Sequence, residues 1–242
     1  MNISVIIPAL NEEATVGEVV RTVLPQASEV LVIDADSTDA TATEASRAGA
    51  TVLNWRDILP DPVWAGKGES LWRGVWAARG DVVVFIDADL TSFAPDIVSR
   101  LTAPFCDPTV HMVKAAYTRA LNGEPSGGGR VTELTAKPLL KMFFPELSHI
   151  SQPLGGEYAI RRSTALTMPF VSGYGVEAGL LIDVAKAHGP SSVVEAPCGV
   201  RAHRNRPLAQ LGSMAEVVAS TILSRVEGCG VAGPATRAAH VG

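Results

Sequence analysis

Asp87-Ala88-Asp89 follows the apolar run 82–86, placing two carboxylates one residue apart at the exit of a buried strand. Such a pair can offer oxygens to one divalent cation and to a ribose. Magnesium binds through one or two carboxylates plus substrate phosphates, so the chemistry suited to this spacing is that of a nucleoside diphosphate. The spacing alone is weak. Chance supplies about half a D-x-D in a chain of this composition, and Asp34-Ala35-Asp36 is a second match. Strand-end capping is the plain alternative for either pair. The strand before Asp87 favours chemistry there.

Other segments could serve the same ligand. Pro8 to Glu13 follows the first apolar run, and its backbone with Glu12 could hold a base and ribose; a simple strand-to-helix turn capped by Asn11 is the alternative. Gly66-Lys67-Gly68-Glu69 sets a lysine between glycines at a helix start. The glycines let backbone approach a ligand and the ammonium offers a point charge to phosphate, but the spacing is not that of a Walker A loop. Gly129, Arg130, Val131 and Thr132 open a helix and could receive a phosphate or carboxylate, with Thr132 as a plain N-cap otherwise. Arg201 to Arg206 holds three arginines and His203, the densest positive cluster in the chain. His203 could be a third metal ligand, although a lone histidine is more often structural. Glu177, after Tyr174, could face a site or merely favour a helix dipole.

These residues need a scaffold, and the chain supplies one. It has 242 residues, 47% of them hydrophobic, enough for one large α/β domain. The net charge of -5 argues against general nucleic-acid binding. Cys106, Cys198 and Cys229 are odd in number and widely spaced, which fits a reduced cytoplasmic protein rather than a disulfide framework. No apolar run approaches the ~18 residues of a membrane span. Strand-like runs at 3–7 (stopped by Pro8), 30–33, 51–53 and 82–86 alternate with helical segments, and a strand at 112–116 follows. Parallel βαβ units buried on both faces are the expectation. In such sheets ligands sit beyond the C-terminal strand ends, where Glu12, Asp36 and Asp89 all fall. Helices are expected at 132–144 with a kink at Pro138, at 177–188 and at 210–225, with a short strand at 193–194. Residues 1–110 read as a regular first half, 111–227 as a less regular second half of the same domain, and 228–242 as a glycine-rich, flexible tail.

Taken together and in this order, Pro8–Glu12, Asp34–Asp39, Lys67 in GKGE, Asp87–Asp89, GGGRVTEL at 127–134, QPLGGEYA at 152–159, GYGVE at 173–177 and RAHRNRPL at 201–208 resemble one family. It is the retaining GT-A glycosyltransferases of family 81, the glucosyl-3-phosphoglycerate synthases. The resemblance runs from about residue 2 to 225, and its last four segments are the specific ones. It implies a Rossmann-like, mostly parallel sheet flanked by helices with a smaller acceptor-binding C-terminal part, residues 1–110 being the nucleotide-sugar-binding half and 111–227 the acceptor-binding half of one GT-A domain. With these it implies a UDP-glucose donor, a small anionic acceptor such as 3-phosphoglycerate, Mg2+ or Mn2+, and a homodimer. Donor contacts would come from Pro8, Ala9, Leu10, Glu12, Asp36, Ser37, Lys67, Asp87 and Ala88, with Leu154, Tyr174 and Glu177 around the glucose. Gly129, Arg130, Val131, Thr132, Arg201 and Asn205 would hold the acceptor. Asp89 and His203 would bind the metal, and Asp89, Glu177, Arg201 and Lys67 would carry catalysis. Ala88 departs from the family's usual serine and Asp36 from its usual glycine. A nucleotidyltransferase would show a Gly-rich basic loop after the first strand, which Pro8–Glu13 is not. A polyprenyl-phosphate sugar transferase would share the first half, but GGGRVTEL and RAHRNRPL disfavour it. Intact Asp89, Glu177 and His203 argue against a non-catalytic binding module. Another small-molecule acceptor in a specialised pathway is the remaining alternative.

Overall fold

The computed structural model describes residues 1–121, 124–126, 129–202 and 211–240. The first half runs β1 (Ile3–Ala9), α1 (Val16–Val23), β2 (Glu29–Asp34), α2 (Thr41–Arg47), β3 (Thr51–Asn54), α3 (Trp55–Ile58), α4 (Lys67–Ala77), β4 (Val82–Phe85) and α5 (Ile97–Thr102). The second runs β5 (Met112–Leu121), β6 (Glu124–Ser126), α6 (Lys137–Phe143), β7 (Tyr158–Arg161), α7 (Arg162–Leu166), β8 (Phe170–Val171), α8 (Val176–His188), β9 (Val193–Ala202), α9 (Leu211–Leu223) and β10 (Thr236–Arg237).

Eight strands form one sheet in the order β3-β2-β1-β4-β7-β5-β6, with β9 paired to β5. β3, β2, β1 and β4 are parallel, β7 runs antiparallel between β4 and β5, and β9 is parallel to β5. The expected halves therefore share a continuous sheet. Alternate residues of each strand enter two cores. Ile6, Ile33, Val83, Phe85 and Tyr158 pack on α4, α8 and α9, whereas Val5, Ile7, Val32, Val84 and Ala159 pack on α1, α2 and α5. Burial on both faces explains why the strand runs carry no polar alternation. Truncating Phe85, fully buried, would cost roughly 3–5 kcal/mol.

Several local expectations change. Pro8 does not stop β1; it pairs opposite Ile33, but the β4 side has already parted after the Ile6–Phe85 pair, so the missing N–H falls where β1 acts as an edge. Asn11 is not a helix cap. With φ 56 it turns back, and its Oδ1 accepts from the Thr38 N–H at 2.8 Å, tying the loops after β1 and β2 together. The stretch before α6 is not a kinked α-helix but a π-turn over Thr132–Ala136, with the Lys137 N–H reaching Thr132 O. Pro138 cannot donate to the carbonyl four residues back and its ring crowds that turn, which favours the wider winding. β9 spans ten residues rather than two, and β7 was not expected at all. The tail from Gly228 is held in place through residue 240: β10 pairs antiparallel with β8.

Candidate active site

A cleft of ≈ 710 Å³ opens beyond the C-terminal ends of β1 and β4. Pro8, Ala9, Leu10 and Glu12 form one wall, Asp87, Ala88 and Asp89 the centre, and Lys67 the start of α4. Gly129, Arg130, Val131 and Thr132 enter from the second half, with Leu154, Tyr174, Glu177 and Arg201. Sixteen of the expected site residues thus meet on one surface, although they come from positions nearly 200 residues apart. Asp36 and Ser37 do not line it, contrary to expectation. Asp36 takes hydrogen bonds from Arg56 and Asn54, and Ser37 Oγ accepts the Asn11 N–H at 3.0 Å. The backbone of Asp36 is left-handed at φ 62, the conformation for which glycine is the easy choice and aspartate a tolerated one. Ala35, next to it, reaches the cleft instead. His203 and Asn205 lie outside the described residues.

The site is a field of opposed charges. Lys67 Nζ donates to Asp87 Oδ1 at 2.5 Å and stands 2.7 Å from Glu177 Oε1. Burial works against the Lys67 ammonium, but Asp87 and Glu177 outweigh it and raise its pKa well above the usual value. Asp87 is likewise penalised by burial, yet Lys67 and then Arg201 hold its carboxyl below the ordinary range. Arg201 Nη1 donates to Glu157 Oε2 at 2.9 Å and to the Tyr117 hydroxyl at 3.2 Å. Beneath them Lys114 is fully buried, donates to Gly155 O at 2.6 Å and lies 4.4 Å over the Tyr158 ring. Burial pulls its pKa down to about 8, with Glu177 and Glu157 opposing.

Glycines bring these groups together. A β-carbon on Gly156 would stand 2.3 Å from Asp87 Oδ2, and one on Gly68 1.8 Å from Val171 O. Gly66, at φ 118, packs on Ser172 O in the same manner. Sequence reasoning missed Trp55, Ser70, Thr91, Leu211 and Met214 as lining residues and Lys114, Glu157 and Tyr117 as the charge partners below. The QPLGGEYA segment pointed towards Gly156 and Glu157; nothing in the sequence singled out Lys114.

Asp89 is exposed at the cleft, and the Glu12 carboxyl is raised by burial and then by Asp89. This concentration of carboxylate oxygens is a hard donor set, which fits Mg2+ or Mn2+. Among the described residues no group of three or more candidate ligands is complete. Likewise no helix among them is long and apolar enough to cross a membrane.

A D-x-D at the end of a central parallel strand, opening onto a cleft walled on its far side by the turn before β7, the start of α8 and Arg201 of β9, defines a GT-A glycosyltransferase. The chain belongs to glycosyl transferase family 2, whose profile matches residues 4–170, and within it to the family of the glucosyl-3-phosphoglycerate synthases. It is 47% identical to the glucosyl-3-phosphoglycerate synthase of Mycolicibacterium paratuberculosis over 95% of this chain and 73% of that protein. Two solved structures of the Mycobacterium tuberculosis enzyme superpose on it. One, in complex with Mn2+, UDP-glucose and phosphoglyceric acid, gives a TM-score of 0.86 at 45% identity, covering 96% of this chain and 80% of that one. The other, with Mn2+, UDP and glucosyl-3-phosphoglycerate, gives 0.87 at 45%, covering 96% and 81%.

Proposed function

We propose that this glycosyltransferase moves glucose from UDP-glucose to 3-phosphoglycerate with retention at the anomeric carbon. The observation that carries the proposal is the convergence of Lys67, Asp87, Asp89, Glu177 and Arg201 on one cleft in a chain whose relatives bind these ligands. Pro8, Ala9, Leu10, Glu12 and Lys67 serve the nucleotide. Leu154, Tyr174 and Glu177 surround the sugar. Arg130, Thr132 and Arg201, with the backbone at Gly129 and Val131, present positive charge and donors to the acceptor's phosphate and carboxylate.

Asp89, with His203, would hold the Mg2+ or Mn2+ ion, which supplies charge neutralisation for the departing diphosphate. Lys67 and Arg201 add fixed positive charge at the same place. Two carboxylates lining the cleft, Asp87 and Glu177, are tied to Lys67, and Glu157 beneath it is tied to Arg201. A carboxylate so engaged is a poor covalent nucleophile, which favours attack by the acceptor hydroxyl on the face the diphosphate leaves. The leaving phosphate then takes the hydroxyl proton. Proton NMR of the fresh product tests this: an α-glucoside is expected, and a β-glucoside would refute it.

A further inference from the structure

Lys67 is placed by α4, and α4 is gripped from outside the cleft by the C-terminal segment. Arg237 is almost fully buried. Its Nε and Nη2 donate to Glu69 at 2.7 and 2.8 Å, and Glu69 also receives Arg73 at 2.7 Å. Glu69 is two residues beyond Lys67 on the first turn of α4. The Arg237 guanidinium lies 3.9 Å over the Trp64 ring and 4.9 Å over Trp72. Two further contacts fasten the tail to the same helix. Trp72 Nε1 donates to Ala238 O at 2.9 Å, and the His240 ring stacks on Trp72 at 4.2 Å.

The same segment also holds β8. Thr236 and Arg237 pair with Val171 and Phe170, and the Ser172 N–H donates to Ala235 O at 2.9 Å. β8 leads directly into Gly173 and Tyr174 at the cleft and on to Glu177. On its other side, Val171 O and Ser172 O pack against Gly68 and Gly66 so closely that no β-carbon fits at either glycine. One short strand is therefore wedged between the tail and the loop that carries Lys67. The buried Glu69–Arg73–Arg237 cluster is costly to desolvate, so its presence is weak evidence of added stability.

We infer that residues 235–240 act as a strap that sets the register of the Lys67 and Tyr174 loops, with Arg237 as the positioning residue. Among the described residues, the strap's hydrogen bonds and ring contacts go to α4, to the stretch before it and to β8; Gly129–Thr132 and Arg201 are on other elements. Its consequence for kinetics rests on the assignment of Lys67 and Tyr174 to the nucleotide sugar, but its mechanical part does not.

The experiment uses the full chain with Arg237→Met, which leaves Glu69 its Arg73 partner, and Arg237→Lys, which keeps the charge but loses the fork and the stacking. Amide hydrogen exchange at residues 66–70 and 171–177 should quicken at least about tenfold in Arg237→Met, with β1 unchanged, because loosening the strap frees those loops to open locally. The KM for UDP-glucose should rise about tenfold while that for the acceptor stays within about twofold, since a shift of less than an ångström in the groups that position the donor is enough for that. Arg237→Lys should fall between, and decides the matter should the methionine variant not fold. Unchanged exchange at both loops would overturn the strap. A lowered kcat with both KM values unchanged would reduce Arg237 to a structural residue and overturn its positioning role. Faster exchange with the acceptor KM raised instead would leave the strap standing and refute the donor-side assignment.

Discussion

Gly156 presses on Asp87: a β-carbon at that glycine would meet the carboxylate at 2.3 Å. The turn before β7 thus backs the first aspartate of the D-x-D and holds it against Lys67. Gly156→Ala should push the carboxylate off the ammonium. We expect kcat/KM to fall on the order of 10²-fold, the usual consequence of a shift near 1 Å at a reacting centre, with the far-ultraviolet circular dichroism unchanged. Steady-state kinetics with UDP-glucose checks this, and wild-type kcat/KM would refute it.

Lys67→Met removes the cation between Asp87 and Glu177. Glu177 is 5% exposed, so its charge would be left buried and unpaired. Urea unfolding should show a loss of about 3 kcal/mol. Adding Glu177→Gln should restore much of that stability and none of the turnover. Additive losses in the double variant would show that the two groups do not interact.

Lys114 gives a stability change with a defined sign. Burial lowers its pKa from 10.5 to about 8 in the folded chain. Between those values the unfolded chain binds the additional proton, so this group's contribution to stability rises with pH across the window and is least favourable below it. Urea midpoints of wild type and Lys114→Met should therefore converge or cross as pH climbs from 7 to 10, with wild type gaining. A constant difference over that range would refute the assignment.

The first half was legible because β1, β2 and β4 are built on continuous apolar stretches separated by helical periods, and because strand ends in parallel sheets locate a ligand without further information. β7 was not legible. It has only three apolar residues before Arg161, starts after Gly-Gly-Glu, and draws its order from β4 and β5 on either side. Asp36 misled because its place at a strand end, and the resemblance, put it at the donor, whereas a left-handed backbone turns it towards Arg56 and Asn54. Lys114 sits in a strand like any other residue, and only tertiary packing places its ammonium under the cleft. The tail's glycines argued for mobility, but Arg237 and His240 hold it through partners more than 160 residues away.

Asp89→Asn should retain the fold and lose Mn2+-dependent binding of UDP-glucose in calorimetry, with turnover reduced by at least about 10³-fold, the scale on which electrostatic groups at a reacting centre act. Binding of the donor with undiminished metal dependence would remove Asp89 from its assigned place.

Transfer of glucose to phosphoglycerate in this cleft is open to a direct test. Incubation of the purified chain with UDP-glucose, 3-phosphoglycerate and Mn2+, read by mass spectrometry, tests it most directly. Glucosyl-3-phosphoglycerate and UDP should appear in equal amounts, and Asp89→Asn should yield neither. Release of UDP with no glucosylated acceptor, or no consumption of UDP-glucose by the wild type, would contradict it.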